Sequence, residues 1–258
     1  MSATGSFPAV LCLHGFLGSS RDWSDLIARL PDRRFVLPDL PGHGAAVGLA
    51  PEEYTMEGAA QRILDALDGA GAGRCLAVGY SMGGRLALYL ALRHPERLAG
   101  VLLESASPGL RSEGERAARQ RSDGALASRL EGGGAEDFAA FLREWHRQPL
   151  FASLADHAGL VERLVRERRE NDPQELARSL RGMGTGSQPS LWSELPDLRV
   201  PALAVVGERD EKFAGIAHEM SRRTGKVRVA VVREAGHNVH LEQPREFAKL
   251  LKRFAGEV

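Results

Sequence analysis

The sequence predicts an α/β fold in which a mostly parallel central sheet is flanked by helices and a helical cap is inserted in the second half. Short apolar runs alternate with helical patterns as far as about residue 104. From about residue 109 to residue 195 the pattern is helical only, and the strand–helix alternation then resumes. We therefore expect residues 1–108 and 196–258 to form one core, with residues 109–195 as a cap over the active site.

The predicted strands are short apolar runs, as expected for strands that are buried on both faces of a parallel sheet. In chain order they are Val10–Leu13, Phe35–Leu37, Cys75–Val78, Leu98–Leu103, Val200–Val206 and Val227–Val232. Residues 55–69 have the spacing of an amphipathic helix, with Thr55 as its N-cap. Gly132-Gly133-Gly134 interrupts the helical region and predicts a loop between cap helices.

The strongest functional signal is Gly79-Tyr80-Ser81-Met82-Gly83, a G-x-S-x-G motif between a predicted strand and a predicted helix. Such a turn places the serine in strained backbone geometry, so small neighbours are needed on both sides. It also exposes the serine oxygen beside a helix N-terminus. Ser81 is therefore the candidate catalytic serine, although a serine in such a turn is not always catalytic.

Partners for Ser81 follow in the chain order serine, acid, histidine, which is that of the α/β-hydrolase triad. Asp210 and His237 each come just after the C-terminal end of a predicted strand, where open α/β sheets place their ligand sites. Asp210 would orient His237, which would deprotonate the serine. Asp210 alone would be read as a helix N-cap, and Glu208 is the second candidate acid. His240 makes an H-x-x-H pattern with His237, but without H-E-x-x-H or a cysteine cluster we expect no metal.

A second motif, His14-Gly15-Phe16-Leu17-Gly18, follows the first strand and matches the loop that supplies one oxyanion-hole N–H in this fold. We expect the backbone N–H groups of Phe16 and Met82 to stabilise charge that develops during the reaction. We expect His14 to be structural, because the triad already has its histidine. Asp39 and His43, in the turn Asp39–Gly44, are interpreted as turn residues that support the site.

Composition is consistent with one enzyme domain of 258 residues and disfavours partners that need bulk charge. The 34 basic and 34 acidic residues give a formal net charge of zero, so neither nucleic acid nor an anionic membrane is expected to bind. Cys12 and Cys75 fall in predicted strands and are expected to be reduced, which fits the cytoplasm. The stretch from Met1 to Pro8 shows no signal-peptide pattern, and no apolar run predicts a membrane span.

The chain also resembles, over nearly its whole length, the α/β-hydrolase-fold family of 2-succinyl-6-hydroxy-2,4-cyclohexadiene-1-carboxylate synthases of menaquinone biosynthesis. The resemblance lies in the two motifs above and in residues 145–151, 183–192, 207–213 and 236–238. It implies a lyase that eliminates pyruvate from 2-succinyl-5-enolpyruvyl-6-hydroxy-3-cyclohexene-1-carboxylate without a cofactor. Met82, where leucine is common, is a small departure that leaves the backbone N–H in place.

That substrate carries three carboxylates, so its pocket should offer several cations. Arg85 lies one helical turn after Ser81 and is the one charge in the apolar run from Met82 to Leu92; the alternative is an internal ion pair. The resemblance assigns two carboxylate-binding arginines to the cap, Arg119 and Arg168, and the pocket residues Tyr80 and Trp145. From the residues alone, a solvated helix face would explain these arginines, and packing would explain the two aromatic side chains.

Three functions follow from these patterns: the lyase, a carboxylesterase or carbon–carbon hydrolase that uses Ser81 as covalent nucleophile, and a ligand-binding protein without catalysis. In the lyase, Ser81 and His237 remove the proton beside the succinyl ketone, and the enolpyruvyl group leaves as pyruvate. An intact triad argues against the third function. A monomer is expected, acting on a small polycarboxylate.

Overall fold

The computed structural model describes residues 8–258 and places six strands in one parallel sheet. The expectation about a leader at residues 1–8 lies almost wholly outside the described residues. The strand bounds are β1 (Ala9–Leu13), β2 (Phe35–Val36), β3 (Cys75–Tyr80), β4 (Leu98–Glu104), β5 (Ala202–Gly207) and β6 (Val227–Val232). Their order across the sheet is β2-β1-β3-β4-β5-β6, and every neighbouring pair is parallel. The predicted α/β class is confirmed.

Helices cover both faces of this sheet and bury its apolar residues in two clusters. The helices outside the inserted segment are α1 (Ser24–Arg29), α2 (Met56–Gly69), α3 (Met82–Arg93), α8 (Glu211–Arg223), α9 (Val239–Glu242) and α10 (Pro244–Ala255). Helix α2 begins as expected, because the Thr55 side chain accepts the backbone N–H of Gly58 at 3.0 Å. No described helix is long and apolar enough to cross a membrane.

The segment between β4 and β5 is helical, as the sequence predicts. It contains α4 (Glu113–Gly132), α5 (Ala135–His146), a 3-10 helix (Pro149–Asp156), α6 (Leu160–Arg168) and α7 (Pro173–Met183). Gly133 and Gly134 separate α4 from α5, as predicted, whereas Gly132 is the last residue of α4 and not part of the loop. The apolar sides of these helices form a cluster of their own, which also takes in Leu17 from the loop after β1. The segment is thus packed directly against the loop that carries Phe16.

Candidate active site

Ser81 lies on a sharp turn between β3 and α3, with φ of 49° and ψ of −105°. A non-glycine residue at positive φ is strained by about 1–3 kcal/mol, so the surrounding structure must hold it there. A Cβ at Gly79 would lie 2.4 Å from the carbonyl oxygen of Gly83, and one at Gly83 would lie 2.1 Å from that of Leu13. Only glycine therefore fits on either side of this turn, as the motif predicts.

The three candidate triad residues come together in one hydrogen-bonded row. The Ser81 hydroxyl lies 3.3 Å from Nε2 of His237, and Nδ1 of His237 donates to Oδ2 of Asp210 at 2.6 Å. The side chains of His237 and Asp210 are buried. This arrangement allows the imidazole to take the serine proton while the carboxylate fixes its orientation and stabilises its charged form.

Asp210 makes both of the contacts that its sequence position suggested. Its Oδ1 accepts the backbone N–H of Phe213 at 3.3 Å and so caps helix α8, while its Oδ2 accepts from His237. Glu208, the second candidate acid, instead accepts the backbone N–H of Glu234 at 3.2 Å in an exposed position. The geometry therefore favours Asp210 as the acid beside the imidazole.

The loop after β1 brings Phe16 to the same cavity as Ser81 and Met82. Met82 is the first residue of α3, so its N–H has no acceptor within the helix. Leu17, at a φ of 69°, is held on two sides: its N–H donates to Nε2 of His43 at 3.1 Å, and its carbonyl accepts from Asn171 at 2.9 Å. These contacts hold the loop that carries Phe16 at the edge of the cavity.

His14 and His43 are structural, as expected. Nε2 of His14 accepts the backbone N–H of Leu40 at 3.0 Å, which ties the β1 loop to the turn containing Asp39. Burial lowers the pKa of His14, and burial together with the neighbouring His14 lowers the pKa of His43 to about 3. Both rings are therefore neutral near neutral pH, as acceptance of a backbone N–H at Nε2 requires.

One cavity contains the serine, the histidine and both candidate oxyanion-hole residues, and three cationic side chains line it. The cations are Arg85, Arg119 and Lys212. Trp145 also lines it and packs edge-on against Phe16, with ring centroids 5.5 Å apart. The cavity therefore combines an apolar wall with convergent positive charge beside the catalytic row, which is a favourable setting for a small anionic ligand.

Arg85 is buried without a carboxylate partner among the described residues. Its guanidinium donates to the side-chain oxygen of Gln188 at 2.9 Å. Burial, followed by repulsion from Arg119, lowers the pKa of Arg85 to about 10. The internal ion pair that the sequence left open is thus replaced by a hydrogen bond to a neutral amide. The nearest carboxylate that acts on the Arg85 charge is Asp123, which is paired with Arg119.

Arg119 differs from Arg85 because it is half-exposed and already paired. Its Nε donates to Oδ1 of the buried Asp123 at 2.7 Å, one turn further along α4. The other carboxylate oxygen of Asp123 is buried and has no hydrogen-bond partner. The remaining N–H groups of Arg119 stay available to a ligand, since a guanidinium has five donors.

Arg168 and Tyr80 do not line this cavity. Arg168 is buried in the inserted segment, where it donates to Nε2 of His146 and lies 4.0 Å from Asp22. Tyr80 is buried behind the histidine: its hydroxyl donates to Asn238, and its ring lies 5.4 Å from that of His237. In this arrangement both residues contact the site's supporting loops, and their expected contact with substrate stays a prediction.

His240 is held by a carboxylate and shows no metal-ligand geometry. Its Nδ1 donates to Glu104 at 2.8 Å, and its ring stacks on Trp23 with centroids 4.6 Å apart. Among residues 8–258 no group of histidine, cysteine and acidic side chains could hold a metal ion. His240 therefore packs beside the triad, which was one of the two expectations for it.

Comparison with known proteins gives the family. A profile described as the alpha/beta hydrolase fold matches residues 8–244. An Enterobacter protein named 2-succinyl-6-hydroxy-2,4-cyclohexadiene-1-carboxylate synthase is 36% identical, with 95% of this chain and 90% of the relative covered. A Bacillus subtilis protein given the same name provisionally is 41% identical, with 95% and 89% covered. The structure of MenH from Staphylococcus aureus superposes with a TM-score of 0.91 at 31% identity and covers 99% of this chain and 96% of that one.

The chain belongs to the 2-succinyl-6-hydroxy-2,4-cyclohexadiene-1-carboxylate synthase family of the α/β-hydrolase fold. The resemblance inferred from the sequence is confirmed. The same architecture also occurs in a Thermogutta terrifontis esterase, at 26% identity and a TM-score of 0.81, covering 98% of this chain and 91% of that one. The fold and the triad alone therefore do not determine which reaction is catalysed. The residues that line the cavity must be considered as well.

Two polar residues of the cavity region were not singled out from the sequence. Lys212 lines the cavity from the first turn of α8, two residues after Asp210. Gln188 lies outside the helices and is the hydrogen-bond partner of Arg85. Both fall in the stretches 207–213 and 183–192 that carry the family resemblance. That resemblance is the signal that could have identified them, since neither belongs to a general motif.

Proposed function

We propose that this protein is the lyase that eliminates pyruvate from 2-succinyl-5-enolpyruvyl-6-hydroxy-3-cyclohexene-1-carboxylate, giving 2-succinyl-6-hydroxy-2,4-cyclohexadiene-1-carboxylate in menaquinone biosynthesis. Family membership supports this reaction. The observation that carries it is Arg85, a buried cation whose hydrogen-bond partner is a neutral amide, on the wall of the cavity that holds Ser81. A buried charge without an ion pair of its own costs stability, so it is best explained by a ligand that brings the opposite charge.

Three cations line the cavity, and the proposed substrate has three carboxylates. Arg85 can bind one of them through the N–H groups that it does not donate to Gln188, and Arg119 can bind another while keeping its bond to Asp123. Arginine suits this task because its planar guanidinium binds a carboxylate through two parallel hydrogen bonds. Lys212, on the first turn of α8, supplies a third positive charge to the cavity lining. A pocket for an uncharged ester would have no use for these groups.

The triad acts as a base in the proposed mechanism. The proton on ring carbon 2 is acidified by the adjacent succinyl ketone. His237 holds the Ser81 oxygen ready to remove it, and Asp210 stabilises the imidazolium that results. The carbon–hydrogen electrons form a double bond to carbon 3, the ring alkene shifts to carbons 4 and 5, and the bond from carbon 5 to oxygen breaks. The departing enolate takes a proton and becomes pyruvate.

The backbone N–H groups of Phe16 and Met82 are proposed to hold the ketone oxygen while it carries negative charge. Fixed donors of this kind stabilise the transition state more than the ground state, because the charge exists only while the proton is being removed. Removal of one such donor typically costs about 3–4 kcal/mol of transition-state stabilisation. His43 and Asn171, which hold Leu17, keep the loop in the shape that this role requires.

Further assignments belong to this proposal. Trp145 would pack against the substrate at the cavity wall. Tyr80 and Arg168 would reach it only after a movement of the loops that now hold them. Residues 109–195 would act as a cap that excludes water. We further propose a monomer in the cytoplasm that needs no cofactor; the buried free thiols of Cys12 and Cys75 fit a reducing compartment.

The test supplies the enolpyruvyl substrate and follows pyruvate release together with formation of the conjugated diene. Both products should appear in equal amounts, and Ser81→Ala should abolish the enzymatic rate. Rapid quenching and mass spectrometry should find no covalent adduct on Ser81. A stoichiometric acyl-serine during turnover would instead support the carboxylesterase or carbon–carbon hydrolase that shares this fold and triad.

A further inference from the structure

Glu242 is a buried carboxylate that binds the chain on both sides of His237. Its Oε2 accepts the backbone N–H of Gly236 at 2.8 Å, and its Oε1 accepts that of Asn238 at 3.0 Å. It lies at the end of α9, a few residues after the histidine. Both oxygens are thus used to hold the two peptide groups that flank the candidate catalytic base.

No described lysine or arginine forms an ion pair with this carboxylate. The nearest cationic group is His157 of the inserted segment, whose Nε2 lies 3.9 Å from Glu242 and which is charged only when protonated. Burying a carboxylate is costly, so a residue of this kind is expected where its hydrogen bonds are needed. An apolar side chain could fill the same space but would leave two backbone N–H groups without acceptors.

Three aromatic rings pack around the His237 imidazole and limit its movement. The centroid distances are 4.6 Å to Phe213, 5.4 Å to Tyr80 and 5.7 Å to Phe151. Its distance from Ser81 depends on the backbone that carries it. The contact between Nε2 and the serine oxygen is 3.3 Å, near the upper limit for a hydrogen bond. A small shift of the Gly236–Asn238 backbone would therefore break it.

We propose that Glu242 is a positioning residue. By holding the peptide groups on both sides of His237, it sets the distance between the His237 imidazole and the Ser81 hydroxyl. It acts through the backbone and does not touch the reacting atoms. This inference rests on the proposed role of His237 as the catalytic base, and it deepens that role by adding the group that holds the base in place.

Glu242→Gln tests the proposal, since an amide keeps the size of the side chain but presents an NH₂ group to one of the two N–H donors. We expect kcat for pyruvate release to fall at least about tenfold while KM stays within about twofold, because the cavity cations are untouched. The rate at which a fluorophosphonate labels Ser81 should fall by a similar factor, since His237 must take the serine proton in that reaction as well. A folded Glu242→Gln protein with both rates near wild type would overturn the proposal.

The matched control is Glu175→Gln. Glu175 is also a buried carboxylate, which accepts the backbone N–H of Gly48 at 3.1 Å and the hydroxyl of Tyr54, and it does not line the cavity. We expect this variant to lose thermal stability but to keep both rates. If both variants lose pyruvate release and Ser81 labelling equally, Glu242 contributes only to general stability, and its assignment as a positioning residue is overturned.

Glu242→Asp decides the question if the glutamine variant does not fold. The shorter carboxylate can reach one of the two N–H groups, so both rates should lie between those of wild type and a His237→Ala variant. Wild-type rates in Glu242→Asp would overturn the proposal. Labelling of Ser81 does not depend on the natural substrate, so a wild-type protein that labels but releases no pyruvate would refute the proposed function and still test Glu242.

Discussion

Replacement of Arg85 by methionine should separate binding from stability, because the two effects have opposite signs. Arg85 is buried, and its polar partner is the neutral side chain of Gln188. Methionine replaces the aliphatic part of the arginine side chain and lacks the guanidinium, so it fills part of the same space without the cost of desolvating a cation. We expect the variant to be as stable as wild type, or more stable, and to be a much poorer enzyme.

The structure gives the magnitudes. A fall in the Arg85 pKa from 12.5 to about 10 corresponds to a cost of about 3 kcal/mol for the buried charge, at about 1.4 kcal/mol per pH unit. The hydrogen bond to Gln188 stabilises the folded protein by about 1.5–3 kcal/mol and so offsets most of that cost. The free energy of unfolding should therefore change by less than about 2 kcal/mol, in the stabilising direction. Loss of one charge-assisted bond to a substrate carboxylate should lower kcat/KM about ten- to 150-fold.

The assays are steady-state pyruvate release and thermal unfolding of the same preparations. Arg116→Met is the control, because Arg116 lies on α4 near Arg119, donates to the carbonyl of Arg111 and does not line the cavity. It should keep wild-type kcat/KM. If Arg85→Met instead unfolds at least about 10 °C lower, at about 2–4 °C per kcal/mol, Arg85 supports the fold. Unchanged kcat/KM would exclude a substrate carboxylate at this position.

Other variants test the remaining parts of the site. We expect kcat for pyruvate release to fall by orders of magnitude in each of the variants Ser81→Ala, His237→Ala and Asp210→Asn. The triple variant should be little slower than a single variant, because the three residues act as a unit. Small losses that add up would show that other residues carry out the chemistry. His43→Gln tests how the free energy of unfolding depends on pH. A histidine with a folded pKa of about 3 and an unfolded value of about 6.5 contributes full stability above pH 6.5, and that contribution is lost as the pH falls towards 3. Glutamine still offers an acceptor to the N–H of Leu17, so the stability lost between pH 7 and pH 5 in urea unfolding should shrink by about 2 kcal/mol. An unchanged pH dependence would show that His43 is not the titrating group.

Much of the fold and the centre of the candidate site could be predicted because their signals are local. Each strand is an apolar run. Ser81 follows β3 directly, and Asp210 and His237 lie three and five residues after the ends of β5 and β6. In a parallel sheet the carboxyl ends of the strands lie along one edge, so residues distant in sequence meet there without further information. Asp210 shows a limit of such reasoning, because one carboxylate makes both the helix-cap contact and the contact with His237 that the sequence offered as alternatives.

The cavity wall could not be predicted in the same way, because it depends on how the inserted helices are rotated and packed. Several arginines share α4, and nothing in their spacing distinguishes Arg119, which lines the cavity, from Arg116. Arg168 contacts His146 within the inserted segment, a contact that its sequence position did not indicate. The neutral partner of Arg85 comes from residue 188, more than a hundred positions away, so no local pattern could show it.

The shared carboxylate of Asp210 also limits how this enzyme can change over evolutionary time. One side chain both begins helix α8 and orients His237, so a substitution there removes two functions in a single step. Glutamate, one methylene longer, would have to move either the helix or the imidazole to serve both. A related enzyme in which the acid that orients the histidine follows a different strand would first need another N-cap residue for α8. The two changes would have to occur in that order, and the intermediate would keep Asp210 throughout.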